Sequence, residues 1–362
     1  MKKFILSLLA VLVAVPVFAC TSVIVSGKKS ASGRPVMYKH RDTGTLDNYI
    51  GRYKGEFYTF IGLVNTKSGG GEVWTGTNSA GFSIMNTATY DLKDDDVPED
   101  QMDREGILMY KALGTCKTLA DFENLLNTHP RPMGVEANFG VIDAFGGAAY
   151  YEVNNHSWVK FDVNDDSVAP LGYLVVTNFT QTGRPEDRKG VDRYEKAKKI
   201  MAGLQDNPDK ALFCDHKFLI NNFSRKGGPI LRNITSSTIA IEGVRAGDNP
   251  LKTVMWTACG YPTAAICVPL MVLDDDFIPS YLSPDADEHC VMCDNALKIK
   301  EKSLDARKAC RKTEKYINKK FTSLYRRWVA GEMSFEKFKA DYKVLLDKIY
   351  NKYEENFAKY LM

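Results

Sequence analysis

The stretch Val17-Phe18-Ala19-Cys20-Thr21-Ser22-Val23-Ile24-Val25 constrains this chain more than any other. Ahead of it lie Lys2 and Lys3, an apolar run from Phe4 to Val15, and Pro16. A basic start, a short apolar core and small side chains three residues and one residue before Cys20 form the pattern of a secretory signal. The apolar run is too short to span a bilayer. Cleavage after Ala19 makes Cys20 the first residue, so that a thiol and an α-amine share one residue. An α-amine titrates near ~8 and a thiol near ~8.5, so the amine can take the thiol proton at neutral pH. The expected product is exported, to a periplasm or the medium. Residues 21–25, β-branched and apolar, read as its first buried strand.

A bacterial lipoprotein is the rival for this end. There too a cysteine follows a short apolar signal, but lipid takes the thiol and an acyl group takes the amine. Phe18 fits that pattern poorly, because a small residue is usual at its position. A lipid-anchored binding protein is the non-enzyme reading that follows.

Composition narrows the rest. The chain has 362 residues, 44% hydrophobic and 26% charged, as in soluble globular proteins. The net charge is only +3, and Lys2 and Lys3 leave with the signal. No basic stripe marks a nucleic-acid partner. No later stretch reaches spanning length, so no membrane partner is expected unless Cys20 is lipidated. Seven cysteines remain after Cys20, an odd number, which leaves at least one free thiol. Cys290-Val-Met-Cys293 has metal or redox spacing but no second pair, which fits a local disulfide or two buried thiols. Five scattered histidines lack ligand spacing, and Gly69-Gly70-Gly71 lacks the lysine of a phosphate loop. No metal and no cofactor are expected.

Val36–Tyr38 reads as a second strand, whose hairpin with the first returns Lys39-His40-Arg41-Asp42 toward Cys20. Short strands follow at Phe57–Val64, Gly71–Thr75 and Gly81–Met85, then an acidic loop over Asp94–Gln101. Helices are expected at Arg104–Cys116 and at Thr118–Asn127, the second capped by Thr118. Strands return at Asn138–Phe145, Ala148–Val153, Trp158–Phe161 and Leu174–Asn178. Helices at about Val191–Gly203 and Lys210–Asn222 precede strands at Ser237–Glu242, Thr253–Ala258 and Ala265–Leu270. Near the end, Ile317, Phe321, Leu324 and Trp328 share one helical face. After Ser334, a plausible cap, a second stripe runs through Phe338, Tyr342, Leu345, Ile349, Tyr353 and Phe357. The pattern divides the chain into a signal (1–19), one α+β domain (20–293) and a helical extension (294–362).

The ordered segments resemble a family. Ala19-Cys20-Thr21-Ser-Val-Ile-Val with Gly33-Arg-Pro-Val-Met-Tyr-Lys39-His-Arg-Asp42 is similar to the opening of the cysteine N-terminal-nucleophile amidohydrolases. That group includes the acyl-CoA:6-aminopenicillanic acid acyltransferase-like proteins, the choloylglycine hydrolases (penicillin V acylase and bile salt hydrolase) and related dipeptidases. Thr77–Asn86, Asn138–Asp143 with Tyr151–Val153, Val176–Phe179 and Asp192–Glu195 resemble its later segments, and Met255–Pro262 resembles the acyltransferase-like branch. The resemblance runs from Cys20 to about Leu270. It implies an αββα sandwich, here with a C-terminal helical hairpin, and cleavage of a small linear amide, with a dipeptidase as alternative. The group often forms dimers or tetramers.

The same resemblance implies roles. Cys20 is the nucleophile with its own amine as base, and Asp42 orients that amine. Asn86 and Asn178 donate to the oxyanion, and Arg193 polarises and tethers the cysteine. The chain departs from the group at Lys39, where arginine is common, and at His40, where asparagine is usual. Either Lys39 substitutes or Arg41 takes over, because lysine keeps the charge without the planar fork.

Overall fold

The computed structural model describes residues 19–92, 96–204, 211–273 and 277–362. The expected signal up to Phe18, Asp94 and Asp95 of the acidic loop, and Lys210 at one expected helix start lie outside them.

The chain forms β1 (Thr21–Val25), β2 (Val36–Asp42), β3 (Asn48–Lys54), β4 (Thr59–Asn65), β5 (Thr75–Asn78) and β6 (Ser83–Ala88). Helices α1 (Glu105–Thr115) and α2 (Leu119–Thr128) precede β7 (Ala137–Ile142), β8 (Ala148–Val153), β9 (Trp158–Asp162) and β10 (Tyr173–Val176). Then come α3 (Val191–Ala202), the short α4 (His216–Leu219), β11 (Thr235–Glu242), β12 (Val254–Cys259) and β13 (Val268–Leu270). Helices α5 (Val291–Glu301), α6 (Arg307–Val329) and α7 (Phe335–Leu361) follow.

The strands make two antiparallel sheets. One has six strands in the order β10-β1-β2-β11-β12-β13, and the other runs β3 to β9 in sequence order. Their inner faces meet at Tyr150, whose hydroxyl donates to Ser22 Oγ at 3.0 Å, and at Lys39, which donates to Asn86 Oδ1 at 2.7 Å. Helix α1 covers β4 to β6, while α3, α4 and α6 cover the outer face of the first sheet. This is the αββα sandwich implied by the resemblance. On the outer layer Phe122 of α2 meets the rings of Phe82, Phe139 and Tyr151 at 5.2–6.3 Å. Helix α1 packs so closely on the β3–β4 turn that a Cβ on Gly55 would lie 2.2 Å from Gly114 Cα. Only glycine fits there.

Thr118 caps α2 through a reciprocal box with Asp121, and Ser334 caps α7 by accepting from Lys337 N–H at 3.3 Å. The α6 stripe buries Ile317, Phe321 and Trp328, and the α7 stripe is buried throughout, as the periodicity implies. The strand expected over Gly71–Thr75 lies instead at Thr75–Asn78, the helix expected over Lys210–Asn222 is, among the described residues, α-helical only at His216–Leu219, and two elements were not anticipated. β3 carries Gly51, Arg52 and Lys54, which dilute its pattern. Helix α5 starts at Cys290, whose Sγ accepts from Cys293 N–H, instead of at a hydroxyl or carboxylate cap. Its buried positions Met292, Ala296 and Ile299 do carry a helical spacing. All eight cysteines are free thiols and buried, with Cys259 and Cys290 sulfurs 3.8 Å apart.

One buried ion pair locks α6 to the body. Arg225 donates to both Glu314 oxygens, at 2.5 and 2.6 Å, and to the carbonyls of Pro262 and Ala265. Cys267 N–H donates to the same carboxylate at 2.7 Å. Glu314→Gln strands the Arg225 charge, and the expected loss of stability is about 3–5 kcal/mol by denaturant unfolding. A loss below about 1 kcal/mol, the value of an ordinary surface pair, would contradict this account of the docking.

Candidate active site

The register of the first hairpin decides the geometry. Ser22 lies opposite Lys39, and Thr21 lies opposite His40. Side chains alternate faces along a strand, and the contacts show which face is which. Ser22 and Lys39 point inward, to Tyr150 and Asn86 of the second sheet. Thr21 and His40 point outward: Arg193 of α3 donates to Thr21 Oγ1 at 3.2 Å, and His40 Nδ1 meets Ser224 Oγ at 2.9 Å. By the same alternation Cys20 and Arg41 turn inward, and Asp42 outward.

The inner group is dense with charge. Lys39 Nζ donates to the Trp74 carbonyl at 2.6 Å as well as to Asn86. Because Asn86 Oδ1 is committed to Lys39, Nδ2 is the end with hydrogens to give. The Arg41 guanidinium lies over the Trp74 ring, 5.0 Å from its centre. Cys20, Lys39, Arg41 and Asn86 are all at most 6% exposed, and Ala19 is 1% exposed. Burial pulls Lys39 down to about 7 and Arg41 down to about 10, while the nearby Cys20 thiol opposes both shifts. Glu105, buried at the start of α1, is pushed up to about 7 by desolvation.

The outer group holds the backbone of Cys20. Arg193 Nη1 donates to the Cys20 carbonyl, and Nη2 donates to Asn178 Oδ1 at 2.8 Å. Burial lowers the Arg193 pKa. Gly190, with φ +78°, leads into α3, and a Cβ there would lie 2.1 Å from Arg193 Nη2. Ala19 N–H donates to the Asp42 carbonyl at 3.2 Å. Asp42 Oδ1 accepts from Thr235 Oγ1 at 2.6 Å and lies 3.2 Å from His40 Nε2. Asp42 Oδ2 is buried without a hydrogen-bond partner among the described residues, with Arg232 Nη1 3.8 Å away.

The seven residues singled out in the sequence thus divide between two faces of one hairpin. Lys39–Asp42, expected at a strand end, all lie within β2 and are buried. Asn178, expected as an oxyanion donor, is differently engaged: its Nδ2 donates to the Ala88 carbonyl at 2.7 Å and its Oδ1 receives Arg193. It braces the arginine. Thr235, Arg232 and Trp74 were not anticipated, since Thr235 pairs with Asp42 across 193 residues and no local pattern announces that. Among the described residues Asp47, His289 and Asp294 bring ligand-type atoms within 4.8 Å of one another. They involve none of the residues around Cys20, and no role is assigned to them.

No protein-family description matches the sequence, and no curated protein matches it. Solved structures are similar to it at low identity. A Caenorhabditis elegans N-acylethanolamine-hydrolyzing acid amidase ortholog shares 15% identity over 64% of this chain and 95% of its own, with a TM-score of 0.48. A variant conjugated bile acid hydrolase from Clostridium perfringens shares 12% over 71% and 93%, with a TM-score of 0.47. Penicillin V acylase from Agrobacterium tumefaciens shares 13% over 71% and 87%, with a TM-score of 0.42.

The lowered Lys39 pKa has a signed consequence for stability. Between about pH 7 and the ordinary lysine range the unfolded chain keeps a proton that the folded chain has lost. Stability therefore rises with pH across that window, with a slope of at most about 1.4 kcal/mol per pH unit, and the penalty is fully present below it. Lys39→Met removes the penalty. Its unfolding free energy relative to the wild type should be most favourable near pH 6 and decline toward pH 10. A difference that does not vary with pH would refute the buried ammonium.

Proposed function

We propose that the protein is an exported amidohydrolase whose mature chain begins at Cys20 and cleaves a linear amide through a thioester. The observation that carries this reading is the division just described: cations and an amide donor inside the hairpin at the thiol, a carboxylate and an arginine outside it at the backbone. Removal of Ala19, whose N–H meets the Asp42 carbonyl, would free the Cys20 nitrogen as an amine one residue from that contact, and Asp42 Oδ2 has an accepting position to offer it. The amine takes the thiol proton, and Asp42 holds it in place.

The thiolate then attacks the substrate carbonyl, assisted by the Lys39 charge. Asn86 Nδ2 stabilises the tetrahedral oxyanion, a contribution of roughly 3 kcal/mol for one such donor. Collapse breaks the C–N bond, the protonated α-amine returns its proton to the leaving amine, and water resolves the thioester. Arg193, braced by Asn178, fixes the Cys20 carbonyl and so the direction of the thiol. A lipid anchor fits this geometry poorly, because the thiol faces between two sheets and the residue is 6% exposed.

Incubating the mature protein with activated amides or thioester-forming acyl donors should give an acyl adduct that maps to Cys20 by mass spectrometry. Cys20→Ala should give no adduct and no turnover. Undiminished hydrolysis by Cys20→Ala would eliminate the mechanism.

A further inference from the structure

Three arginines are fully buried among the described residues: Arg41, Arg193 and Arg225. Two of them are satisfied. Arg225 holds Glu314 and two carbonyls, and Arg193 holds the Cys20 carbonyl, Thr21 and Asn178. Arg41 is different. Its residue is 3% exposed, Nη1 is buried without an acceptor, and no ion pair joins it to a carboxylate among the described residues. The ionisable groups coupled to it are Lys39, Cys20, Cys259 and the half-buried Glu72, none of them in hydrogen-bond contact with it. It rests on Trp74, whose own Nε1–H is also buried without an acceptor.

Burying a guanidinium unpaired is expensive, and a stack on an indole returns only about 0.5–2 kcal/mol. A structural arginine in this place would be paired like Arg225. A thiolate-stabilising cation is already supplied by Lys39. Arg41 lies two residues further along the same strand, its Cα about 7 Å from that of Lys39 and on the same face. Continued by one pair, the β1–β2 register sets Arg41 opposite Cys20, which puts its planar fork within reach of a carboxylate near the scissile amide.

We propose that Arg41 receives a carboxylate of the substrate, so that the preferred amides carry an anionic group close to the scissile bond. This rests on the reading of Cys20 as nucleophile.

The test uses the mature protein and two matched pairs of amides. One pair is an N-acyl amino acid and its carboxamide, which places the charge on the leaving amine. The other is a dicarboxylic acid half-anilide and its carboxamide, which places it on the acyl half. In at least one pair kcat/KM should favour the carboxylate by about ten-fold or more. Arg41→Gln and Arg41→Met should both abolish that preference and change the neutral member by less than about three-fold, well under the 1.4 kcal/mol of a ten-fold change. The proposal is overturned by a wild type indifferent to charge in both pairs, or by variants that lower charged and neutral substrates equally. Turnover that persists in Cys20→Ala would instead strike the nucleophile reading, so the two failures are distinguishable.

Discussion

The antiparallel pairing of β1 with β2 is the constraint on which the site depends. With Ser22 opposite Lys39, the odd positions of β2 face the second sheet and the even ones face α4 and the turn behind it. A slip of one residue would exchange the two sets, sending Lys39 and Arg41 outward and His40 and Asp42 into the sandwich. Cys20 would then lie among a different set of charges. Both neighbours hold the register: β10 pairs with β1, and β11 pairs with β2 from Val36 to Asp42. Thr235 at the far end of β11 fastens Asp42 itself.

Charge inside the sandwich is the second theme. Where the fold needs a buried ion for docking, it supplies a complete set of partners, as at Arg225 and Glu314. Around Cys20 it does not. Lys39 gives its hydrogens to a carbonyl and an amide oxygen, neither of them an anion, and Arg41 has no acceptor for Nη1. Both pKa values fall because burial disfavours the charged forms and little opposes it besides the thiol. Partners incompletely supplied by the protein are expected where charge develops during a reaction, and strongly shifted groups concentrate at such places.

Much of this was legible in the sequence, for reasons that differ by element. Thr21–Val25 and the α7 stripe declare themselves through periodicity, and Thr118 and Ser334 through cap chemistry. Cys20 stands out because a signal-like segment ends directly before it. The family resemblance supplied Asp42, Asn86 and Arg193, all of which lie around Cys20 in the folded chain. What stayed hidden depends on tertiary context. β3 is stabilised by pairing with β4 along its whole length despite Gly51 and its charges. Thr235 and Arg232 reach Asp42 only because β11 lies beside β2. The amide of Asn178 has its partners fixed by Ala88 and Arg193, which a strand-end pattern does not reveal.

The central claim is that the working nucleophile is a cysteine with a free α-amine. Intact-mass analysis with N-terminal sequencing, on protein exported from a cell that processes its signal, tests it most directly. The expected result is a chain that starts at unmodified Cys20. A lipid-bearing mass on Cys20, or a mature start at another residue, would contradict it, because neither leaves an amine beside the thiol.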